Sequence, residues 1–130
     1  MSWYIDSSAI LKLLIFEKES TALAQFLDVP VKTSAISRVE VIRSLNRISP
    51  EKIAEGQVAL YRFEMIPVSS SILSLAENFP AVITLKSLDA IHVATVVFLN
   101  KTIRGLITYD KAMIKNAKEL GIKVASPGMK

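Results

Sequence analysis

Apolar and polar positions along the chain recur with two alternating periods, a strand-like one and a helical one, from one end to the other. Ser2 to Ile5 is a short β-type run, and Ser7 to Phe16 is apolar almost all round, as in a buried helix. Glu19 to Leu27 predicts a second helix with Leu23, Phe26 and Leu27 on one face, ended by Pro30; Val31 to Ser34 follows as a second strand. Ile36, Val39, Ile42 and Leu45 recur at helical spacing within Ile36 to Ile48. Ser49-Pro50-Glu51 opens another helix to about Phe63, with Ser49 as N-cap and Pro50 at the first helical position. Glu64 to Val68 reads as a third strand and Ser70 to Phe79 as a helix, and Ser87 is expected to cap a long helix to Asn100. Gly105 to Thr108 is a fourth strand. Lys111 to Leu120 is a helix stopped by Gly121, and Ile122 to Ala125 is a last strand before Ser126-Pro127-Gly128. Strands separated by helices pair in parallel through right-handed crossovers, which gives an α/β sandwich with helices on both faces of the sheet. In such sheets functional groups gather outside the carboxyl ends of the strands.

Composition narrows the class. The 130 residues are 51% hydrophobic, which excludes disorder, and they contain no repeat, low-complexity tract or linker, so one domain over 1–130 is expected. That apolar content is high for a small domain and points to a partner or self-association surface, hence a homodimer. The apolar run Leu88 to Leu99 is broken by Asp89 and His92 and falls short of the roughly 20 residues a spanning helix needs, so no membrane association is expected. Met1 to Asp6 lack the features of a signal peptide, and a chain without cysteine has neither disulfides nor thiolate metal sites, so a cytoplasmic address is expected. Sixteen Lys and Arg face twelve Asp and Glu. If four of those acids share one cleft, eight remain against sixteen basic groups, a surface that favours a polyanion.

The chain holds four aspartates, and three stand at telling places. Asp6 ends the first strand and precedes a helix; Asp110 does the same after the strand Gly105 to Thr108; Asp89 lies in the first turn of the Ser87 to Asn100 helix. Asp28, in the loop before Pro30, has no such position. Each of the three could be a plain helix cap, satisfying orphan N–H groups and the helix dipole. Taken together, strand-end positions of a parallel sheet converge on one edge, and Asp89 joins them if its helix begins there. Asp89 resists the capping explanation most, because its helix is apolar around nearly the whole circumference, where a carboxylate is costly unless paired, hydrogen-bonded or on a metal. Glu40, at the margin of the Ile36 to Ile48 stripe, admits two readings: an intrahelical pair with Arg43, or a carboxylate leaning toward the same cleft.

Carboxylates around one point repel, by roughly 4 kcal/mol per pair at about 4 Å and an effective dielectric near 20. A cation resolves the conflict. With one histidine and no cysteine, zinc lacks soft ligands, whereas Mg²⁺ or Mn²⁺ takes an all-oxygen site and leaves positions for water and phosphate. Phosphodiester hydrolysis is the chemistry such a site serves.

Four blocks, Tyr4-Ile5-Asp6-Ser7-Ser8, Ser37-Arg38-Val39-Glu40, Leu88-Asp89-Ala90-Ile91-His92-Val93-Ala94 and Ile107-Thr108-Tyr109-Asp110, resemble in order the signature blocks of PIN domains, and most closely those of VapC-type toxins. The resemblance spans the first strand to Ser126-Pro127. It implies a three-layer α/β/α fold with a mainly parallel sheet and Mg²⁺- or Mn²⁺-dependent endoribonuclease activity on RNA. It also implies homodimers and inhibition by a small antitoxin protein. Carried over, Asp6, Glu40, Asp89 and Asp110 are the acidic quartet that binds metal and catalyses, with Ser7 and Thr108 as supporting hydroxyls. Two departures stand out: Lys86 and Ser87 replace an Arg often found before the third acid, and Met113 stands where Phe is frequent after the fourth. Neither removes an acid; both bear on substrate contacts.

Other residues are read without a catalytic role. His92, the one histidine, is taken as a satisfied packing residue, since a base needs a positioned partner. Arg38, Arg43 and Arg47 are read as solvated helix charges, Trp3 and Tyr4 as core or dimer contacts. Ala9, Ile10, Leu13 and Leu14 are read as core, with part of their helix available to an antitoxin groove. An aspartyl-phosphate phosphatase would need Asp where Ser8 stands, and a phospho-receiver would need Asp after the third strand, where Val68 leads into Ser69-Ser70-Ser71. A PIN-like module that only binds RNA or protein is the remaining rival, and loss of an acid would favour it.

Overall fold

Five parallel strands, in the order β3-β2-β1-β4-β5, form the centre of the computed structural model, which describes residues 1–27 and 30–129. The strands are β1 (Ser2–Ile5), β2 (Val31–Ser34), β3 (Glu64–Ile66), β4 (Ile103–Ile107) and β5 (Val124–Ala125). Among the described residues seven helices connect or flank them: α1 (Ser7–Lys12), α2 (Ser20–Phe26), α3 (Ile36–Ile48), α4 (Ile53–Leu60), α5 (Ser70–Glu77), α6 (Ser87–Leu99) and α7 (Lys111–Glu119). Asp28 lies outside the described residues.

The alternation along β1 divides the molecule into layers. Trp3 and Ile5 pack with Ala9, Ile10, Leu23, Val41, Leu45 and Leu60, so α1 to α4 cover one face. Tyr4 points to the other face, against Val93 and Val96 of α6 and Met113 and Ala117 of α7, while Ile72 of α5 packs on Ala94 and Ile66. The fold is therefore a three-layer α/β/α sandwich. The chain winds outward from β1 through β2 to β3, then crosses to β4 on the other side of β1. The order reverses between β1 and β4, and the crevice at such a switch point, beyond the carboxyl ends of the strands, is where these sheets carry sites. Because α6 runs back toward the start of β4, its N-terminus lies at that same edge, and Asp89 with it.

Several expected boundaries shift. The α1 helix stops at Lys12 rather than Phe16, and Phe16 is exposed. Pro50 opens a single 3₁₀ turn to Lys52 before α4, and Ser49 stands before it without a side-chain capping bond. Lys86, not Ser87, is the N-cap of α6; Ser87 is already helical. Strand β3 ends at Ile66 instead of Val68, β4 begins at Ile103 instead of Gly105, and β5 keeps two residues. Gly105 falls inside β4 because a Cβ there would meet the Lys123 carbonyl oxygen at 2.4 Å, an approach only glycine allows. On α3 the stripe also rotates: Ser37, Val41 and Leu45 are buried, whereas Val39 is 60% exposed. The helix gives its buried side partly to a small polar residue, so counting apolar residues misplaces the face. At the end of α7, Gly121 (φ 75°) closes a Schellman motif, with Ile122 N–H bonded to Ala117 and Gly121 N–H to Lys118.

Candidate active site

Strands β1 and β4 end together, with Ile5 paired to Ile107, so the residues after them leave the sheet side by side. Asp6 and Asp110 each then cap the helix that follows. Asp6 accepts the Ala9 N–H at 3.0 Å, and Asp110 accepts the Met113 N–H at 2.8 Å. Thr108 joins the two turns: its hydroxyl donates to Asp6 Oδ2 at 2.6 Å and accepts the Asp110 N–H at 3.1 Å. Asp6 is further held by Ser8, whose Oγ lies 2.8 and 3.0 Å from its two oxygens. Asp6 is buried at 2% exposure, and burial pushes its carboxyl above the ordinary carboxylate range, against nearby His92 and the hydrogen bonds from Thr108, Ala9 and Ser8.

The other two acids come from helices. Asp89, in the first turn of α6, is partly buried, and its carboxylate accepts no hydrogen bond from a described residue. Its carboxyl is also raised, first by burial and then by the Asp110 carboxylate, with Glu40 and Asp6 adding to it. Glu40 leans from α3 onto His92 of α6, with Oε1 2.6 Å from Nε2. It does not pair with Arg43. The His92 ring is 1% exposed, and its Nδ1 stands 2.6 Å from the Tyr4 hydroxyl, which accepts the Ser34 N–H at 3.1 Å. Burial raises the Tyr4 phenol far above its ordinary value, so it stays protonated.

All four acids thus face one edge of the sheet, close enough for Asp89 to feel each of the other three. Among the described residues no three acid or histidine side chains already converge to enclose a metal ion. The oxygens still open toward that edge belong to Asp89, to Asp110 and, through Oε2, to Glu40; all are hard donors. By donor chemistry this set fits Mg²⁺ or Mn²⁺ and not a thiophilic metal.

Of the two hydroxyls expected beside the quartet, Thr108 reaches Asp6, but Ser7 does not; Ser8 does. The reason is helical geometry. Counting from the cap, Ser7 is the first helical residue and bonds neither Asp6 oxygen, while the hydroxyl of Ser8, one further on, reaches both. The partner that His92 lacked in the sequence is Glu40, from a helix 52 positions away. The i, i+3 spacing of Asp89 and His92 on α6 was the available signal, since it places both on one helix face. Met113 is buried in the core beneath α7, so that position packs rather than contacts substrate. Trp3 and Tyr4 are core residues. Arg38, Arg43 and Arg47 are exposed; the first two line a cleft of about 880 Å³ between α3 and α4, with Val39, Ile42, Tyr61 and Phe63, that includes none of the four acids.

Comparison with known proteins agrees with this geometry. The PIN domain family model matches residues 3–119. Ribonuclease VapC46 of Mycobacterium tuberculosis is 39% identical over 126 residues, covering 95% of this chain and 96% of that protein. Ribonuclease VapC47 of the same species is 35% identical over 133 residues, covering 96% of each. Among solved structures, a toxin–antitoxin complex from Klebsiella pneumoniae superposes with a TM-score of 0.76 at 20% identity, over 95% of this chain and 96% of that one. VapC20 of Mycobacterium tuberculosis, a toxin that cleaves the sarcin–ricin loop, gives 0.75 at 17% identity over 96% and 99%. With the fold matched over nearly its whole length and relatives above a third identical, the chain belongs to the PIN domain family, among its VapC-type ribonucleases.

Proposed function

We propose that this chain, as a single unit over 1–130, is a divalent-metal-dependent endoribonuclease and the toxin of a toxin–antitoxin pair in the cytoplasm. RNA is its substrate and a small antitoxin protein its inhibitor. One observation carries the catalytic reading: Asp89, partly buried and with no hydrogen bond to its carboxylate from a described residue, shares one edge of the sheet with Asp6, Asp110 and Glu40, and its carboxyl is raised first by burial and then by those acids. A helix cap alone gives no reason to gather four carboxylates at one edge; a cation that offsets their repulsion does.

Asp6, Glu40, Asp89 and Asp110 would hold Mg²⁺ or Mn²⁺, and the bound ion would supply an activated water and charge stabilisation for the leaving oxygen. The protein's own part is preparation. Ser8, Ala9 and Thr108 fix the Asp6 carboxylate, and Thr108 sets the spacing between Asp6 and the Asp110 turn. His92 ties Glu40 to the helix that carries Asp89. Exposed Arg38, Arg43 and Arg47 give α3 a positive surface that draws RNA phosphates. Exposed apolar residues, among them Phe16, Val39, Tyr61, Val82 and Phe98, support a homodimer and an antitoxin surface.

The test is cleavage of a structured RNA with Mg²⁺, with Mn²⁺ and with EDTA. Metal-dependent cleavage by the wild type, its loss in Asp89→Asn and its retention in Glu51→Gln, an exposed acid outside the quartet, are expected. Equal cleavage by wild type and Asp89→Asn overturns the assignment. Light scattering at micromolar concentration should give twice the chain mass; a single-chain mass overturns the dimer.

A further inference from the structure

We infer that His92 is a positioning residue of this site: its ring, joined to the Ser34 amide through the Tyr4 hydroxyl, locks Glu40 in the orientation that leaves one carboxylate oxygen free for the cation. This rests on the nuclease reading above.

The Tyr4 hydroxyl accepts the Ser34 N–H at 3.1 Å and stands 2.6 Å from His92 Nδ1, to which the inferred chain directs its proton. Nδ1 is then an acceptor, so the ring proton sits on Nε2, which donates to Glu40 Oε1 at 2.6 Å. Every link but the last is buried: Ser34, Tyr4 and His92 are each at most 1% exposed. Glu40 lies where the buried chain meets the opening, with its side chain 21% exposed. A glutamate at a helix margin has three rotatable bonds and no intrinsic preference for this pose. The imidazole removes that freedom by holding Oε1, and Oε2 has no partner among the described residues. His92 stands three positions after Asp89 on α6, so one helix face presents one acid directly and fixes the second through the ring. The rigid end of the chain is the β2 terminus, where Ser34 is fixed by its pairing with Ile66.

The closing experiment has two arms on the full chain. Because His92 is the one histidine, the imidazole signals in a long-range ¹H–¹⁵N NMR spectrum belong to it without assignment work. In the metal-free protein the Nε2–H tautomer is expected, and Tyr4→Phe should keep it, because Nε2–H still donates to Glu40 while Nδ1 loses its partner. A wild-type ring protonated on Nδ1 overturns the relay. In the second arm, Mn²⁺ affinity is measured by calorimetry. His92→Leu should weaken it on the order of 10-fold to 100-fold, as removal of a residue that orients a ligand does, and lower kcat with KM for RNA unchanged. His92→Gln, whose amide can still donate to Glu40, should recover most of the affinity, and Tyr4→Phe should fall between. Full affinity in His92→Leu overturns the inference, and so does a loss that His92→Gln fails to restore while remaining folded. The two readings separate cleanly. A wild type that binds no Mn²⁺ and cleaves no RNA overturns the nuclease reading and the ligand-positioning role, while the tautomer arm still decides the hydrogen-bond chain.

Discussion

The two strand-to-helix turns that carry Asp6 and Asp110 begin alike and end differently. Each aspartate follows a strand of the central sheet, and each caps a helix through the backbone N–H three residues on. The turn after β1 reads Asp6-Ser7-Ser8-Ala9; the turn after β4 reads Asp110-Lys111-Ala112-Met113. Where Ser8 adds a hydroxyl to the Asp6 carboxylate, Ala112 offers nothing to Asp110. Asp6 also receives Thr108, while Asp110 receives no second side chain. Both Asp6 oxygens are therefore occupied and buried, whereas Asp110 keeps Oδ2 open. Capping is thus compatible with site membership in one carboxylate: a cap takes one lone pair of one oxygen, and the two turns differ in how many donors take the others.

The largest effect is expected from Asp6→Asn. With the amide oxygen kept on the Ala9 N–H, the amide nitrogen faces the Thr108 and Ser8 hydroxyls, which must turn from donors into acceptors and give up their present bonds. The mismatch in a buried site should cost about 1–3 kcal/mol, which outweighs relief of the buried charge because three donors converge on it. RNA cleavage should vanish, and the melting temperature should fall on the order of 5–10 °C. Asp110→Asn should abolish cleavage too, yet leave stability almost unchanged, since Asn caps nearly as well as Asp. A fall in stability as large for Asp110→Asn as for Asp6→Asn would erase the distinction between the turns.

Acid titration separates the two groups of carboxylates next. Asp6 and Asp89 are raised in the folded state, so the fold binds protons more tightly than the unfolded chain. Their stabilising contribution is complete below the ordinary Asp value near 3.9 and is lost as pH rises through the raised values. Glu19, lowered by Lys12, runs the opposite way, so the informative quantity is a difference between proteins. Without metal, the stability of wild type relative to Asp89→Asn should decline as pH rises from about 4 to 7. Parallel melting profiles across that window would falsify the mutual repulsion. Saturating Mn²⁺, at about a hundred times its dissociation constant, should add roughly 2.7 kcal/mol to the wild type. Asp110→Asn, with one repelling charge and one ligand fewer, should melt at or above wild type without metal and gain less from it; identical gains would return Asp110 to the role of a plain cap.

How much of this was readable beforehand follows from range. The sheet, the helices and the strand-end acids are local patterns, and the sandwich with its quartet at one edge came from them and from the four family-like blocks. The rotated face of α3 was not readable, because Ser37 is buried beside Thr33 through a 2.6 Å hydroxyl contact that no hydropathy count reveals. The Glu40 to His92 to Tyr4 chain was not readable either. Its members are separated by 52 and 88 positions and meet only after β1, α3 and α6 have packed. Local pattern finds the acids; packing decides what each one touches.

The smallest effect bears on the comparison most directly, because it is confined to neighbouring serines. Ser8 shares its hydroxyl between the Asp6 oxygens and accepts the Tyr109 N–H at 3.4 Å, so it links the α1 cap to the other turn. Its donation also lowers the Asp6 carboxyl against burial. Ser8→Ala removes one donor from a buried carboxylate and should cost about 1 kcal/mol near neutral pH, a fall of a few degrees in melting temperature. Asp6 should then titrate higher still, so the loss should shrink toward acid pH, where the protonated carboxyl needs the donor less. Ser7→Ala touches neither oxygen and should stay within about 0.5 kcal/mol of wild type at every pH. Grafting the feature tests it from the other side: Ala112→Ser places a hydroxyl two residues after Asp110, as Ser8 follows Asp6. If the number of donors on the carboxylate separates the two turns, that variant should melt slightly higher without metal and bind Mn²⁺ more weakly. An Ala112→Ser variant with unchanged Mn²⁺ affinity, alongside equal stabilities for Ser7→Ala and Ser8→Ala, would show that the two turns differ for some other reason.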